Sequence, residues 1–271
     1  MGGMMMASAA PAPEEPILLR QDTNGIARLT LNRPQQRNAL SVALMAALID
    51  ELAAIAADPS VKVVVLAANG TAFCAGHDLK EMRAHPGRPF YETLFRQCSA
   101  LMQAIVRLPQ PVIARVHGIA TAAGCQLVAS CDLAVAADST RFATPGVNIG
   151  LFCSTPMVAL SRNVNRKQAM EMLLLGEMID AARAMDFGLI NRAVPEAQLD
   201  PATEAMARAI AAKSPLTLKI GKEAFYRQVE LDLDQAYDYA SRVMTENMLA
   251  RDAEEGIDAF LQKRAPVWQG R

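Results

Sequence analysis

The stretch GIATAAGCQLVASCD, residues 118–132, is the one around which the rest of the chain is organised. A short apolar run at 112–116, set off by Pro109 and Pro111, precedes it and is typical of a buried strand. Small residues then lead into a segment that can be helical, whose first backbone N–H groups have no helical partner. Small side chains let a ligand approach such groups. The stretch therefore indicates a site for an anionic or developing-anionic oxygen, or a tightly packed turn without a ligand.

The composition sets limits on the class of protein. With 271 residues, 52% of them hydrophobic and 20% charged, the chain is long enough for one large domain or a domain plus an appendage. A net charge of −1 gives no overall field that attracts nucleic acid or an anionic membrane. No run approaches the ~18 apolar residues of a membrane span. We therefore expect neither nucleic-acid nor membrane partners.

Residues 1–15 are rich in Met, Ala and Pro and end in two glutamates. They lack the basic start and apolar core of a signal peptide, and also the Arg-rich character of a transit peptide. From this composition we predict a flexible N-terminal segment over residues 1–15 and a cytoplasmic protein.

Cysteine and histidine spacing gives no metal signature. The five cysteines are odd in number, no two are spaced C-x-x-C, and they fall in apolar surroundings, so neither a disulfide framework nor a zinc site is expected. The three histidines lack H-E-x-x-H or similar spacing. We predict no bound metal.

Strand-like and helix-like segments alternate over residues 16–200, which predicts an α/β domain with largely parallel strands. The dipeptide Asn24-Gly25 favours a tight hairpin turn. Ser41 can cap the first helix. Residues 61–68 are β-branched and typical of a buried parallel strand.

Helical patterns alone follow residue 200. They cover 201–213, 215–229 and 232–250, and a fourth starts at Asp252 with the capping-box-like sequence DAEE. We predict an α-helical C-terminal region over residues 201–271.

A second informative stretch is AFCAGHDLKEM, residues 72–82. It leaves a buried strand and offers another set of backbone N–H groups near Gly76. If N–H donors from both stretches converge, they form an oxyanion hole that stabilises charge developing on a thioester oxygen.

Four segments in this order resemble the successive signatures of the crotonase superfamily, the enoyl-CoA hydratases and isomerases. They are residues 32–40, 73–81, 118–132 and 142–150, and the similarity extends over about residues 16–268. The resemblance implies a spiral core of ββα units and a helical C-terminal part that builds trimers, often paired into hexamers. It also implies an acyl-CoA thioester ligand, with coenzyme A as part of the substrate and no separate cofactor.

The resemblance further implies particular site residues. The thioester carbonyl accepts hydrogen bonds from the backbone N–H groups of His77 and Ala123. The coenzyme A contacts are Arg33, Ala75, Gly76, Asp78, Leu79, Lys80, Phe260 and Lys263, the last two often supplied by a neighbouring subunit. Arg33 and Lys80 are alternatively solvated surface residues, and Asp78 alternatively starts a helix.

The chain departs from the family at the acid–base residues. Family hydratases carry two glutamates that hold and deprotonate water, and this chain has Gln126 and Gly146 in their places. Family isomerases and dehalogenases use an aspartate where this chain has Ser154. A neutral amide orients water but takes no proton, and glycine has no side chain.

Substitutes for the missing groups are few. Ser154 and Cys153 precede a predicted helix start, where a hydroxyl or thiol can be activated, or where small residues merely cap and pack. The His77 ring titrates near neutral pH unless packing fixes it, with its role then limited to its backbone. Asp132 is expected to be structural, satisfying backbone donors at a strand start.

The sequence thus predicts a homo-oligomeric acyl-CoA-binding protein, enoyl-CoA hydratase/isomerase-like, of fatty-acid or related acyl-CoA metabolism. One alternative is another enolate-forming reaction, such as decarboxylation of a malonyl-type thioester, which needs the oxyanion hole more than a base. The other is an acyl-CoA binder without catalysis.

Overall fold

The computed structural model describes residues 15–271. The prediction of a flexible segment at residues 1–15 therefore falls outside the described residues, apart from Glu15.

The described chain opens with a hairpin. Strands β1 (Leu18–Thr23) and β2 (Ile26–Leu31) pair in antiparallel fashion. Asn24 and Gly25 join them with φ angles of 52° and 78°. Two successive positive φ angles suit a two-residue hairpin turn, so the turn expected from Asn-Gly is confirmed.

The strands form two sheets. After the hairpin come β3 (Val63–Ala68), β4 (Val112–Val116), β5 (Ile119–Thr121), β6 (Leu133–Ala137), β7 (Arg141–Ala143), β8 (Ile179–Asp180) and β9 (Arg192–Val194). The larger sheet has the order β1-β2-β3-β4-β6-β9, and every pair in it after β1-β2 is parallel. The smaller sheet has the order β5-β7-β8. The predicted α/β class with largely parallel pairing is confirmed.

Helices connect and cover the strands. They are α1 (Val42–Ala56), α2 (Leu79–Ala84), α3 (Arg88–Arg107), α4 (Ala123–Ser130), α5 (Pro156–Leu160), α6 (Arg166–Leu175), α7 (Ala181–Asp186), α8 (Leu199–Ala211), α9 (Pro215–Gln228), α10 (Leu233–Met248) and α11 (Arg251–Leu261). Short 3₁₀ turns lie at Pro34–Gln36, Pro145–Ile149 and Glu196–Gln198. The predicted cap is present, since the Ser41 hydroxyl accepts a hydrogen bond from the Leu44 N–H at 3.2 Å.

The larger sheet is buried on both faces. On one face, Leu66 belongs to the same buried cluster as Leu48 of α1 and Leu101 of α3. On the other, Val65 packs with Ala207 of α8. Each fully buried side chain of the Val or Leu type stabilises the fold by about 1.5–3 kcal/mol. The strands that lead into the loops at residues 69–78 and 117–122 are therefore held firmly.

A buried ion pair fastens α9 to the core. The Lys222 ammonium donates to the Asp132 carboxylate at 2.6 Å and to the Ile105 carbonyl oxygen at 3.0 Å. The Asp132 carboxylate also accepts the Tyr226 hydroxyl at 2.9 Å and the Val112 N–H, at the start of β4, at 2.7 Å. The expected role of Asp132 as an acceptor at a strand start is confirmed.

A second buried carboxylate holds the C-terminal tail. Asp252 accepts hydrogen bonds from the Ser214 hydroxyl at 2.6 Å, the Gln269 N–H at 2.7 Å and the Gly270 N–H at 3.0 Å. The N-cap of α11 is Ala250, without a side-chain cap bond. The capping-box interpretation of Asp252 is therefore wrong, because its carboxylate is turned to the tail instead of to the first turn of its own helix.

Three observations on residues 15–271 concern membrane-spanning helices, metal ligands and cysteines. No helix among them is long and apolar enough to cross a membrane. No group of three or more His, Cys, Asp or Glu side chains among them is arranged to hold a metal ion. All five cysteines are buried free thiols, and burial raises the pKa of Cys74, Cys98 and Cys125 to about 12.

Candidate active site

The loop after β3 continues as an extended segment beside β5. The Cys74 N–H donates to the Ile119 carbonyl oxygen at 3.1 Å, and the Thr121 N–H donates to the Cys74 carbonyl oxygen at 3.0 Å. The Thr121 hydroxyl adds a bond to the Ala75 carbonyl oxygen at 3.1 Å. The two stretches that the sequence singles out are thus paired side by side.

The pairing of His77 with Leu40 orients the His77 N–H. The Leu40 N–H donates to the Gly76 carbonyl oxygen at 2.8 Å, and the Asp78 N–H donates to the Leu40 carbonyl oxygen at 3.2 Å. In such a parallel bridge the residue between the two bonds turns its own N–H to the opposite side. The His77 N–H therefore faces away from Leu40.

The other stretch approaches this segment closely. A Cβ built on Gly76 would lie 3.0 Å from the Ala122 Cβ and 3.5 Å from the Ala123 nitrogen. A Cβ built on Gly124 would lie 2.8 Å from the Cys74 carbonyl carbon and closer still to its oxygen. Gly124 is therefore required for the two segments to be in contact.

Ala122 has an unusual backbone conformation at the junction, with φ 50° and ψ −118°. Its N–H donates to the Ala143 carbonyl oxygen at 2.9 Å, and its own carbonyl accepts the Gln126 N–H at 3.0 Å. Positive φ in a residue with a side chain costs about 1–3 kcal/mol and is found where surrounding structure imposes it. This conformation of Ala122 makes Ala123 the first residue of α4, where its N–H has no acceptor within the helix.

The His77 side chain is half-buried, with its ring against α3. Both ring nitrogens are buried and have no hydrogen-bond partner among the described residues. The ring packs edge-to-face on Phe95 of α3, with 5.6 Å between ring centroids. Burial lowers the pKa of His77, and the Leu40 carbonyl oxygen, which lies near the ring without an aligned hydrogen bond, opposes this shift in part. The imidazole is therefore neutral at pH 7.

Gln126 lies on α4 at one wall of a cavity. It is 4% exposed, and its amide oxygen accepts the Cys98 thiol at 3.8 Å. The cavity has a volume of about 860 Å³ and is lined by residues of α3, α4, α5 and α9, among them Met102, Ala129 and Val158. Its size and partly apolar lining suit a small-molecule ligand.

Gly146 leaves no room for a side chain. A Cβ built on it would lie 2.9 Å from the Cys153 sulfur and closer still to the Leu151 carbonyl oxygen. The backbone at Gly146 thus leaves no space for the glutamate side chain that the family resemblance would place there. Cys153 is buried, which raises the pKa of its thiol. Ser154 is exposed, and its hydroxyl donates to the Phe152 carbonyl oxygen at 3.4 Å.

The residues predicted to contact coenzyme A fall into two groups. Arg33 forms an ion pair with Asp78 at 3.0 Å and also donates to the Ala39 carbonyl oxygen. Asp78 caps α2 through the Lys80 N–H at 3.1 Å and the Glu81 N–H at 3.2 Å. Burial alone would raise the pKa of Asp78, but these hydrogen bonds and Arg33 lower it.

The remaining predicted contacts are more accessible. Ala75 is half-buried and Gly76 is buried between the two stretches, whereas Leu79 and Lys80 are exposed on α2. The second group lies at the end of α11, where Phe260 is 82% exposed and Lys263, also exposed, has a φ of 55°.

The main-chain part and the side-chain part of the candidate site differ in how far the sequence signals them. The structure brings Gly76 next to Ala122 and Ala123, so the two stretches are in contact. The buried His77 ring and the closed backbone at Gly146 have no sequence signal, because both depend on packing between distant segments.

The class of protein follows from this fold and from comparison with known families. The family model for enoyl-CoA hydratase/isomerase matches residues 21–271, and the chain belongs to that family, with a crotonase fold.

Relatives narrow the similarity to one branch. Enoyl-CoA hydratase domain-containing protein 3 from Xenopus laevis is 48% identical over 261 residues, which are 96% of this chain and 89% of the relative. The crystal structure of the human protein of that name is 48% identical, with a TM-score of 0.91 over 93% of this chain and 100% of that chain. A Mycobacterium smegmatis enoyl-CoA hydratase structure is 58% identical, with a TM-score of 0.92 over 94% of this chain and 99% of that chain. Residues 120–127 also resemble the domain-containing protein 3 branch.

One expectation is wrong. The relatives from Xenopus laevis, Rattus norvegicus and Homo sapiens, 47–50% identical to this chain, are named mitochondrial, which contradicts the predicted cytoplasmic location. That prediction used only the composition of residues 1–15, where the absence of an Arg-rich pattern is a weak guide to location.

Proposed function

We propose that this chain binds an acyl-CoA thioester and that the backbone N–H groups of His77 and Ala123 hold its carbonyl oxygen. The observation that carries the proposal is the contact between the two stretches, in which the Gly76 Cβ position is 3.5 Å from the Ala123 nitrogen. The His77 N–H faces away from Leu40, and the Ala123 N–H starts a helix. Preorganised main-chain donors of this kind stabilise an oxyanion strongly.

The reaction is proposed to be of the enoyl-CoA hydratase/isomerase type, in fatty-acid or related acyl-CoA metabolism. Family membership supports a CoA thioester as substrate, and a 37% identical Escherichia coli relative is named 2,3-dehydroadipyl-CoA hydratase. No cofactor beyond the coenzyme A of the substrate is proposed. Gln126 is proposed to orient water or substrate, and Ser154 remains a candidate at the neighbouring loop.

The coenzyme A part is proposed to lie along residues 75–80, next to Arg33. Phe260 and Lys263 of a neighbouring copy are proposed to complete that pocket in a homotrimer or a dimer of trimers. Large apolar side chains exposed on the C-terminal helices support self-association: Phe225, Leu233, Tyr237, Leu249, Phe260 and Leu261 are each more than half exposed. Exposed apolar surface of this extent marks a protein interface.

A second reaction is favoured by the closed backbone at Gly146. There is no room for a carboxylate at this position. Hydration needs a proton acceptor, so its loss affects hydration more than a reaction that forms the enolate by loss of CO₂. Decarboxylation of a 2-carboxyacyl-CoA is therefore the second candidate.

A panel of CoA thioesters tests the proposal directly. Purified protein is incubated with 2-enoyl, 3-enoyl, 3-hydroxyacyl and 2-carboxyacyl species, with binding measured by calorimetry and products by mass spectrometry. We expect binding of several members and a new mass from one, which names the reaction. Loss of that mass in Gln126→Ala or Ser154→Ala locates the chemistry. Binding without a new mass would contradict the proposed enzymatic activity and would leave acyl-CoA binding as the function. Absence of binding would contradict the whole proposal.

Restoring the first carboxylate is expected to raise hydration. Each acid–base group contributes about 10²- to 10⁴-fold to a proton-transfer step, so the wild-type chain hydrates crotonyl-CoA slowly. Gln126→Glu places a proton acceptor at the cavity wall and is expected to increase the rate at least tenfold, measured by loss of absorbance of the conjugated thioester. An unchanged rate would contradict the placement of Gln126 beside the acyl group.

The matched change at the second position, Gly146→Glu, is not expected to raise the hydration rate. Gly146→Glu forces a side chain against the Leu151 carbonyl and the Cys153 sulfur, and such overpacking costs about 1–3 kcal/mol. We therefore expect Gly146→Glu to lower the urea midpoint and to add nothing to the rate of Gln126→Glu. Gly221→Glu, at a helix position with open space, is the control and is expected to leave the midpoint equal or slightly higher, because glutamate favours a helix interior over glycine.

A further inference from the structure

The His77 imidazole is a buried polar group without a structural task. Neither ring nitrogen has a hydrogen-bond partner among residues 15–271. Leaving a buried polar group unpaired costs about 1–3 kcal/mol, and such exceptions call for an explanation. Packing does not require a histidine, because the ring contacts Phe95 edge-on, as an apolar side chain of similar size also would.

The position of the ring supplies that explanation. Its own backbone N–H is one of the two donors proposed to hold the thioester oxygen, so the ring stays near the carbons bonded to that carbonyl. Phe95 precedes Cys98 by about one turn of α3, and the Cys98 thiol contacts the amide oxygen of Gln126 at 3.8 Å. One turn of α3 thus separates the side chain that packs on the imidazole from the thiol that contacts the amide.

We propose that the His77 imidazole is the proton carrier of this site, taking over from the two absent carboxylates. The inference rests on the proposed acyl-CoA function and assigns to it a catalytic side chain. A neutral imidazole nitrogen has both the lone pair needed to accept a proton and, after accepting it, the proton to return.

The step is a proton transfer at the carbon next to the thioester. A ring nitrogen takes a proton from C2, the C–H electron pair becomes the C1–C2 double bond, and the carbonyl π pair moves to the oxygen held by the two N–H groups. With a 3-enoyl substrate, delivery of that proton from the imidazolium to C4 shifts the double bond to C2–C3. No atom is gained or lost, and the ring returns to its neutral form.

Phe95 packs on the ring and is itself 36% exposed at the surface of α3. In the proposed step, the Phe95 side chain turns outward and gives the substrate access to the imidazole. Catalytic groups are often poorly aligned until substrate binds.

The charged groups nearby leave the ring neutral. The Asp78 carboxylate is paired with Arg33, and the Glu81 carboxylate accepts the Val42 N–H at 3.0 Å. From α3 the ring meets Phe95, which carries no charge. Burial is the main cause that lowers the pKa of His77, and no charged group adds to it.

Proton exchange in deuterium oxide tests the proposal. Wild-type protein is incubated with 3-hexenoyl-CoA, and mass spectrometry counts deuterium in the recovered thioester and in the 2-enoyl product. In His77→Gln and His77→Leu the backbone N–H remains, so binding of hexanoyl-CoA should change less than about threefold. We expect exchange to fall about 10²- to 10⁴-fold. His85→Gln, at an exposed histidine, is the control and should exchange like the wild type.

The outcomes separate the two proposals. No binding of hexanoyl-CoA by the wild type overturns the proposed function itself. Binding without exchange by the wild type, or exchange that survives in both His77 variants, overturns the role of the imidazole and leaves thioester binding intact. If the role is correct, wild-type exchange is level above about pH 6.5 and falls at lower pH as the ring becomes protonated.

Discussion

Replacing Gly124 with alanine is expected to weaken acyl-CoA binding about 100-fold or more. The added Cβ would lie 2.8 Å from the Cys74 carbonyl carbon and 2.9 Å from the Cys74 Cβ. Real Cβ atoms do not approach main-chain atoms so closely, so the first turn of α4 and the 74–77 segment must separate. Both proposed donors then lose their common geometry, and misplacing reacting groups by about 1 Å costs on the order of 10²-fold.

Calorimetric titration with a saturated acyl-CoA measures the effect of Gly124→Ala. The expected dissociation constant is at least 100-fold weaker than that of the wild type. The control is Gly221→Ala, since a Cβ at Gly221 meets nothing within 4 Å and alanine favours a helix by about 1 kcal/mol. Unchanged affinity in a folded Gly124→Ala protein would show that the oxyanion site lies elsewhere.

Replacing Lys222 with methionine is expected to cause a large loss of stability. The substitution keeps most of the apolar volume but leaves the Asp132 carboxylate, 16% exposed, without its cation. It also removes the bonds to the Ile105 and Gln110 carbonyl oxygens at 3.0 and 3.1 Å. Breaking a buried pair by removing one partner costs about 3–5 kcal/mol.

Urea unfolding of Lys222→Met measures that cost as a shift in midpoint at constant m-value. Lys219→Met, one turn earlier on α9 and exposed, is the matched control and is expected to change the unfolding free energy by less than about 0.5 kcal/mol. Adding Asp132→Asn to Lys222→Met should recover part of the loss, because the unpaired charge is then gone. Equal midpoints for the two lysine variants would contradict a stabilising role for the ion pair.

The parts of the fold that sequence could predict are those set by local patterns. The Asn24-Gly25 turn, the Ser41 cap and the β-branched strand at Val63–Ala68 depend on neighbouring residues, and all are present in the structure. The helical patterns after residue 200 correspond to α8, α9, α10 and α11, with ends that differ by at most two residues, as is usual at helix termini.

Side-chain direction could not be predicted from local pattern. Asp252 has the sequence context of a helix cap but is turned to the tail at Gln269 and Gly270, which follow it at a distance in sequence. The closed backbone at Gly146 depends on Leu151 and Cys153 folding back over it. These features require knowing which distant segments touch.

For the candidate site, the sequence indicated the main-chain part alone. The small residues at 120–124 and Gly76 identified the two stretches, because glycine is required where backbones touch. The buried state of the His77 ring depends on α3, whose Phe95 is 18 residues further along the chain.

The use of main-chain N–H groups has a consequence for how this protein can change during evolution. A peptide N–H is present whichever side chain a codon specifies, so nearly any substitution at His77 or Ala123 keeps the hydrogen-bond donor. The proposed thioester recognition is thereby protected from most point mutations at these two positions. A lineage can thus lose one chemistry and acquire another without passing through an ancestor that fails to hold the ligand.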